Sequence, residues 1–200
     1  MREDVAMTRI GILLFEHVEE LDAVGPWEVF GMWATKWPGE AEVVAFASEA
    51  GPVLASKGMT LHADHGYADV GPLDVLVYPG GRGTRPHLED PARLAWVREQ
   101  RERVPLLTSV CTGSLVFAAA GLLAGRPATT HWGSLDTLKG LDPSIDVRPD
   151  DRYVDDGDVI TSAGVSAGID MALHVVARLA GTERARDVRR MMQYDPMPPV

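Results

Sequence analysis

Short, unbroken apolar runs recur along this chain, and each is bounded by glycine, proline or charge. Arg9 to Phe15 (RIGILLF), Ala41 to Ala47 (AEVVAFA), Leu73 to Tyr78 (LDVLVY) and Pro105 to Val110 (PLLTSV) lack the alternation of a half-exposed strand. They read as strands buried on both faces. Between them the spacing turns helical. Pro26 opens a predicted helix through WEVFGMW, because proline is tolerated in a first turn. Asp90-Pro91 opens another, running to about Arg103, and SLVFAAAGLLAG after Cys111 predicts a third, ending near Gly121 or Gly125. The pieces Val53–Ala55 and Met59–Leu61 flank Gly58 and read as extended. Ala128 to His131 predicts a short strand, and Val154 to Thr161 a hairpin turning at Asp156-Gly157. In GIDMALHVVARLAG, Ile169, Leu173, Val176 and Leu179 fall on one predicted helical face.

Strands alternating with helices imply an α/β sandwich of three layers, with a largely parallel central sheet flanked by helices. No repeat or linker divides the pattern, so residues 7–200 are expected to form a single domain. Residues 1–6 read as a flexible N-terminal extension, with Met7 a possible alternative start.

Composition narrows the function classes. A formal net charge of -10 argues against a nucleic-acid partner, which needs clustered Lys and Arg. The densest basic run, Arg184, Arg186, Arg189 and Arg190, is interrupted by Glu183 and Asp187 and reads as a solvated helix face. No apolar stretch approaches a membrane span, and MREDVAMTRI lacks the pattern of a secretory signal. A single cysteine forms no intrachain disulfide, so the expected compartment is the cytoplasm.

That cysteine stands at a junction. In TSVCTGSLVF a buried strand ends and a helix begins at Cys111. Chemistry in α/β sheets collects beyond the carboxyl ends of strands. A helix start offers free N–H groups and a positive dipole end, which favour thiolate over thiol. A lone cysteine is as often a small core hydrophobe. Two neighbours shift the balance. VYPGGRGT puts Gly80-Gly81 directly after another buried strand, and the amides of Gly81 and Thr112 could receive developing negative charge. EELDAVGPWEVF carries Asp22 between apolar neighbours, a candidate proton shuttle, with Glu19, Glu20 and Glu28 as competing acids.

Together LLFEHVEELDAVGPWEVF, LDVLVYPGGRGT, TSVCTGSLVFAAAGLLAGRPATTHW, ITSAGVSAGIDMAL and QYDPMPPV resemble the ThiJ/PfpI superfamily, whose fold is flavodoxin-like and class I glutamine amidotransferase-like. Within it the branch that hydrates isonitriles is most similar. The resemblance implies a cysteine-dependent hydro-lyase making N-substituted formamides, with Cys111 as nucleophile at a nucleophile elbow, Asp22 as acid/base and Thr112 hydrogen-bonding within the site. It implies an oxyanion and substrate-binding set of Gly80, Gly81, Gly164 and Val165. It also implies no metal or organic cofactor, a small electrophile as substrate, and a homodimer.

Competing readings remain open at this level. Peptidases of the superfamily carry histidine where this chain has Thr112. His131 in TTHW is followed two residues later by Gly133, not by an acid that could orient a base. Protease and glutaminase are therefore disfavoured, and His131 reads as structural. A glyoxalase or deglycase acting on reactive carbonyls is an alternative. So is a cysteine redox sensor or a ligand sensor of the regulator type. The chain stops at Val200, which leaves no downstream DNA-binding region in the sequence. His62 and His65 flank Asp64 but read as a surface loop. Asp170, His174 and Arg178 read as an exposed charge ladder on one helix. Trp27, Trp33 and Trp37 read as core or subunit-contact residues.

Overall fold

The computed structural model describes residues 7–196. The expected extension 1–6 and the last four residues of the QYDPMPPV tail lie outside the described residues. The elements run β1 (Thr8–Leu13), α1 (Glu20–Lys36), β2 (Ala41–Phe46), β3 (Gly51–Leu54), β4 (Thr60–Ala63), β5 (Val75–Tyr78), α2 (Thr84–His87), α3 (Pro91–Arg103) and β6 (Leu106–Val110). They continue with α4 (Gly113–Ala119), β7 (Pro127–Ala128), α5 (Leu135–Leu141), β8 (Asp146–Val147), β9 (Tyr153–Asp155), β10 (Val159–Ser162), α6 (Ala167–Ala180) and α7 (Thr182–Met191).

The central sheet has the order β2-β1-β5-β6-β10-β9. Every pairing is parallel except β9 against β10, which is the expected hairpin at the edge. Helices α1, α6 and α7 pack together over one face, while α2, α3, α4 and α5 cover the other. Burial on both faces explains the unbroken apolar runs: β5, β6 and β10 are buried at every position. The pieces around Gly58 form a separate hairpin, β3 with β4.

Local signals were read with mixed success. Asp90 caps α3, its carboxylate accepting from the amides of Ala92 (2.9 Å) and Arg93 (3.2 Å). By contrast α1 begins at Glu20, two turns before Pro26, so Pro26 lies inside the helix rather than opening it. Its missing N–H leaves the Asp22 carbonyl without its helical partner. Small residues tolerate this break, since Gly25 packs on Ile169 and Pro26 lies against Gly168 of α6.

The predicted strand Ala128–His131 is cut short. Only Pro127–Ala128 pairs, with β8, and Thr129 is held instead by its amide on the Thr161 hydroxyl (2.9 Å). On α6 the buried face is Gly168, Met171, Ala172, Val175 and Val176. Ile169 and Leu173 are half-buried and Leu179 is exposed, because α1 and α7 flank this helix and widen its apolar stripe.

The expected charge ladder on α6 is also corrected. Asp170, His174 and Arg178 reach across to other elements rather than along their own helix. Asp170 binds Arg152 and the Tyr194 hydroxyl, while His174 and Arg178 share the carboxylate of Asp155 on β9. Likewise the basic face of α7 is not wholly solvated. The Arg184 guanidinium lies 4.0 Å over the Trp37 ring and pairs with Glu40, which also accepts from the Trp33 indole at 2.8 Å. Trp33 is buried in the core, while Trp27 and Trp37 are half-buried against it. His62 and Asp64 are exposed, and His65 lies 3.8 Å from Asp69.

Candidate active site

Strands β1, β5, β6 and β10 lie side by side, so their carboxyl ends open onto one place. The four segments that follow them carry Asp22, Gly80-Gly81, Cys111-Thr112 and Gly164-Val165. Residues spread over more than a hundred positions of sequence thus meet at one edge of the sheet. All seven sequence candidates lie there.

Cys111 is a sharp elbow. Its φ is 57°, in the left-handed region that a side chain with a Cβ seldom occupies. The turn is held from several directions. The Cys111 amide donates to the carbonyls of Ser162 and Ala163, both at 3.1 Å, while its carbonyl accepts from Thr130 Oγ1 (2.9 Å) and Ser114 Oγ (3.1 Å). Val165 is strained in the same sense, with φ 50° at a β-branched residue. Two strained residues facing each other across β6 and β10 mark a place where position outweighs backbone comfort.

Asp22 is fully buried in the first turn of α1. Its Oδ2 accepts the Gly80 amide at 2.9 Å. Its Oδ1 is buried and makes no hydrogen bond of full geometry. Burial pushes the carboxyl up and the Gly80 amide opposes it. The Glu19 charge raises it further, while the Cys111 thiol and Lys57 lower it, leaving its pKa at about 7. The competing acids are separated by the fold: Glu28 is exposed, and Glu19 and Glu20 face Lys57 rather than the sulfur.

The resting thiolate expected from the helix start is corrected. Burial and the neighbouring Asp22 carboxylate push the Cys111 thiol up to about 12, outweighing the amides of Thr112 and Val165 that favour its anion. The thiol is neutral, 6% exposed, and coupled to the buried acid.

Thr112 serves the loop opposite. Its hydroxyl accepts the Gly81 amide at 3.0 Å and lies 3.1 Å from the Thr84 hydroxyl. The Gly81 N–H, expected to be free for an oxyanion, is therefore already bonded. The amides directed at the sulfur are those of Thr112 and Val165.

Gly80 is bare for a reason: an added Cβ would lie 2.6 Å from the Thr112 nitrogen and 2.8 Å from Asp22 Oδ2. Gly164 packs so tightly on the His131 ring that a Cβ would meet Cδ2 at 2.4 Å. His131 itself accepts the Gly133 amide on Nδ1 at 3.1 Å, and among the described residues no acid holds its ring. The apolar cleft of about 370 Å³ lined by Ile12, Leu14, Trp27 and Leu61 does not include Cys111.

The sequence reading missed Lys57, in the turn joining β3 to β4. A single lysine in Ser-Lys-Gly looks like any surface turn, and only the packing of that hairpin brings it to the acids.

Residues 8–178 match the DJ-1/PfpI family, which covers every residue of the site. The chain belongs to this family. Isonitrile hydratase from Pseudomonas putida is 40% identical over 191 residues, covering 96% of this chain and 80% of that protein. The HTH-type transcriptional regulator CdhR of Pseudomonas aeruginosa is 36% identical over 143 residues, 71% of this chain but only 42% of the regulator. The crystal structure of a ThiJ/PfpI family protein from Pseudomonas syringae superimposes with a TM-score of 0.85 at 34% identity, covering 97% of this chain and 78% of that one. No helix among the described residues is long and apolar enough to cross a membrane.

Proposed function

We propose that this DJ-1/PfpI protein is a cysteine-dependent hydro-lyase that adds water to isonitriles, with Cys111 as nucleophile and Asp22 as its proton shuttle. The observation that carries the reading is a fully buried carboxyl, one oxygen on the Gly80 amide and the other unpaired, set beside the Cys111 elbow, where burial raises its pKa to about 7. Such an acid is half-ionised near neutrality, so it can take a proton and return it within one turnover.

Asp22 carboxylate accepts the thiol proton as the sulfur attacks the terminal isonitrile carbon. The same proton then passes to that carbon, giving a thioimidate on Cys111. Asp22 next takes a proton from water while the hydroxide adds to the carbon, and it delivers this proton to nitrogen. Loss of the hydroxyl proton to Asp22 breaks the carbon–sulfur bond and releases the N-substituted formamide. Asp22 finally reprotonates the sulfur. One water is consumed and every proton moves through a single carboxyl. The amides of Thr112 and Val165 favour the sulfur anion whenever it forms.

The similarity to isonitrile hydratase supports this reading. So does the placement of Asp22, buried with its Oδ2 on the Gly80 amide, while among the described residues no acid orients His131. A redox sensor fits less well, since oxidation follows resting thiolate character, and the Cys111 thiol is held neutral.

The deciding assay offers an alkyl isonitrile and methylglyoxal side by side. Formamide from the first with no turnover of the second is the expected result. Turnover of methylglyoxal alone would transfer the site to the carbonyl class.

A further inference from the structure

The acids beside the site are covered by one cation. The turn between β3 and β4 folds over the loop that leads into α1. The Ser56 amide donates to the Val18 carbonyl (2.8 Å), Ser56 Oγ to the His17 carbonyl (2.6 Å), and the Lys57 amide to Glu20 Oε1 (2.6 Å). Across the same turn, Arg82 donates to the Ser56 carbonyl at 2.9 Å. Lys57 Nζ then pairs with Glu19 and lies 3.6 Å from Glu20 Oε2, an oxygen with no hydrogen-bond partner.

Both acids are mostly covered, their side chains 17% and 13% exposed, whereas Lys57 is 67% exposed. The ammonium is therefore held by the acids and not by burial. Glu19 is also tied to the site by its backbone, since its amide donates to the Gly80 carbonyl at 2.9 Å and the Gly80 amide donates to Asp22.

We propose that Lys57 is a positioning residue of the Asp22–Cys111 pair, holding Glu19 and Glu20 and cancelling the Glu19 charge so that Asp22 can ionise and receive the thiol proton. This rests on the reading of Asp22 as proton acceptor from Cys111. The groups bearing on Asp22 are Glu19 from the same loop, Lys57 from the hairpin turn, Cys111 from the elbow and the Gly80 amide. Of these, Glu19 and Lys57 carry opposing charges. Arg82 is bonded to the Ser56 carbonyl of that turn, and the exposed His17 lies beside it.

The test uses the single cysteine as its own reporter. Alkylation of Cys111 by iodoacetamide, followed by mass from pH 5 to 9, reports the ionisation of the acid that takes the thiol proton. In Lys57→Gln the midpoint should rise by about half a unit to one unit, because a cation is lost and Glu19 is uncovered. Lys57→Arg should restore the wild-type midpoint. Glu19→Gln should lower it, and in that background Lys57→Gln should shift it less.

An unmoved midpoint in Lys57→Gln, or an equal shift in Lys57→Arg, would overturn the proposal. Because Lys57 is exposed, these variants are expected to fold, and thermal melts check that they do. Alkylation requires no isonitrile. A shifted midpoint without formamide production would leave Lys57 its role and remove the hydratase reading, and the reverse outcome would do the opposite.

Discussion

Two aspartates, one in the first turn of α1 beneath the elbow and one on the edge strand β9, show how the same side chain is set to different tasks. Asp22 lies sealed beneath the elbow with one amide on its carboxyl, and its pKa rises to about 7. Asp155 sits on the edge strand β9. Burial alone would raise it too, but His174 Nε2 at 2.6 Å, the Gly157 amide and Arg178 together hold it below the usual carboxylate range. Two differences separate them: Asp22 is fully buried whereas the Asp155 side chain is 24% exposed, and Asp155 has more partners for its charged form. Asp155 is satisfied. Asp22 keeps an oxygen unsatisfied beside a thiol, which costs stability and leaves a proton mobile.

The contrast can be broken most forcefully at the sulfur. Cys111→Ala should lower the rate of formamide formation by about 10³-fold or more, as expected when a nucleophile is removed. Measurable full turnover in that variant would leave Asp22 with no partner to serve. Next in size, Asp22→Asn should suppress Cys111 alkylation at pH 8 by about 10²-fold, since an amide takes no proton.

The same variant should gain stability relative to the wild type as pH rises. Folded Asp22 titrates near 7 against 3.8 for the ordinary group, so the proton it binds stabilises the fold fully below about pH 4. That contribution, about 4 kcal/mol at most, is lost as pH rises through 7. The melting temperature of Asp22→Asn should therefore pull ahead of the wild type between pH 4 and pH 8. A constant gap would show that Asp22 is not perturbed in the folded state.

Gly80→Ala sharpens the comparison from the geometric side. The new methyl group has no room between Thr112 and Asp22, and relief by movement of the elbow should cost about 2 kcal/mol. Denaturant melts measure this cost, and slower Cys111 alkylation should accompany it. The smallest effect is expected at the satisfied acid. Asp155→Asn should cost about 1 kcal/mol or less, since its partners are partly solvated. Its depressed pKa confers stability above the unfolded value of 3.8, lost as pH falls through the folded value, so the difference from wild type should vanish in acid. Formamide production should be unaffected.

The sheet was legible because burial on two faces writes continuous apolar runs, and four of its six strands were read that way. Caps were legible where the chemistry is local, as at Asp90-Pro91. Pro26 misled because a first-turn proline and an interior one look alike until Gly168 and Ile169 of α6 are packed against it. The ladder on α6 misled for a related reason. Four-residue spacing is real, but Asp155, Arg152 and Tyr194 are stronger partners than the next turn of the same helix.

At the site, residue types and their places after strands pointed to Asp22, Gly80, Gly81, Cys111 and Thr112, while Gly164 and Val165 came only from the family resemblance. The state of those groups was not readable. A helix start favours thiolate only if the surroundings remain polar, and at Cys111 the core and Asp22 reverse the sign.

The order of apolar runs, the bare glycines and the lone cysteine after a strand thus determined the layers of this protein and pointed to Asp22, Gly80, Gly81, Cys111 and Thr112 as candidates, because each is a local consequence of side-chain size and polarity. Tertiary structure alone decided their charges. Which Asp22 oxygen goes unpaired, whether the Gly81 amide is free, and where Lys57 reaches depend on groups distant in sequence, and electrostatic energy is set by those distances and by the water that packing excludes.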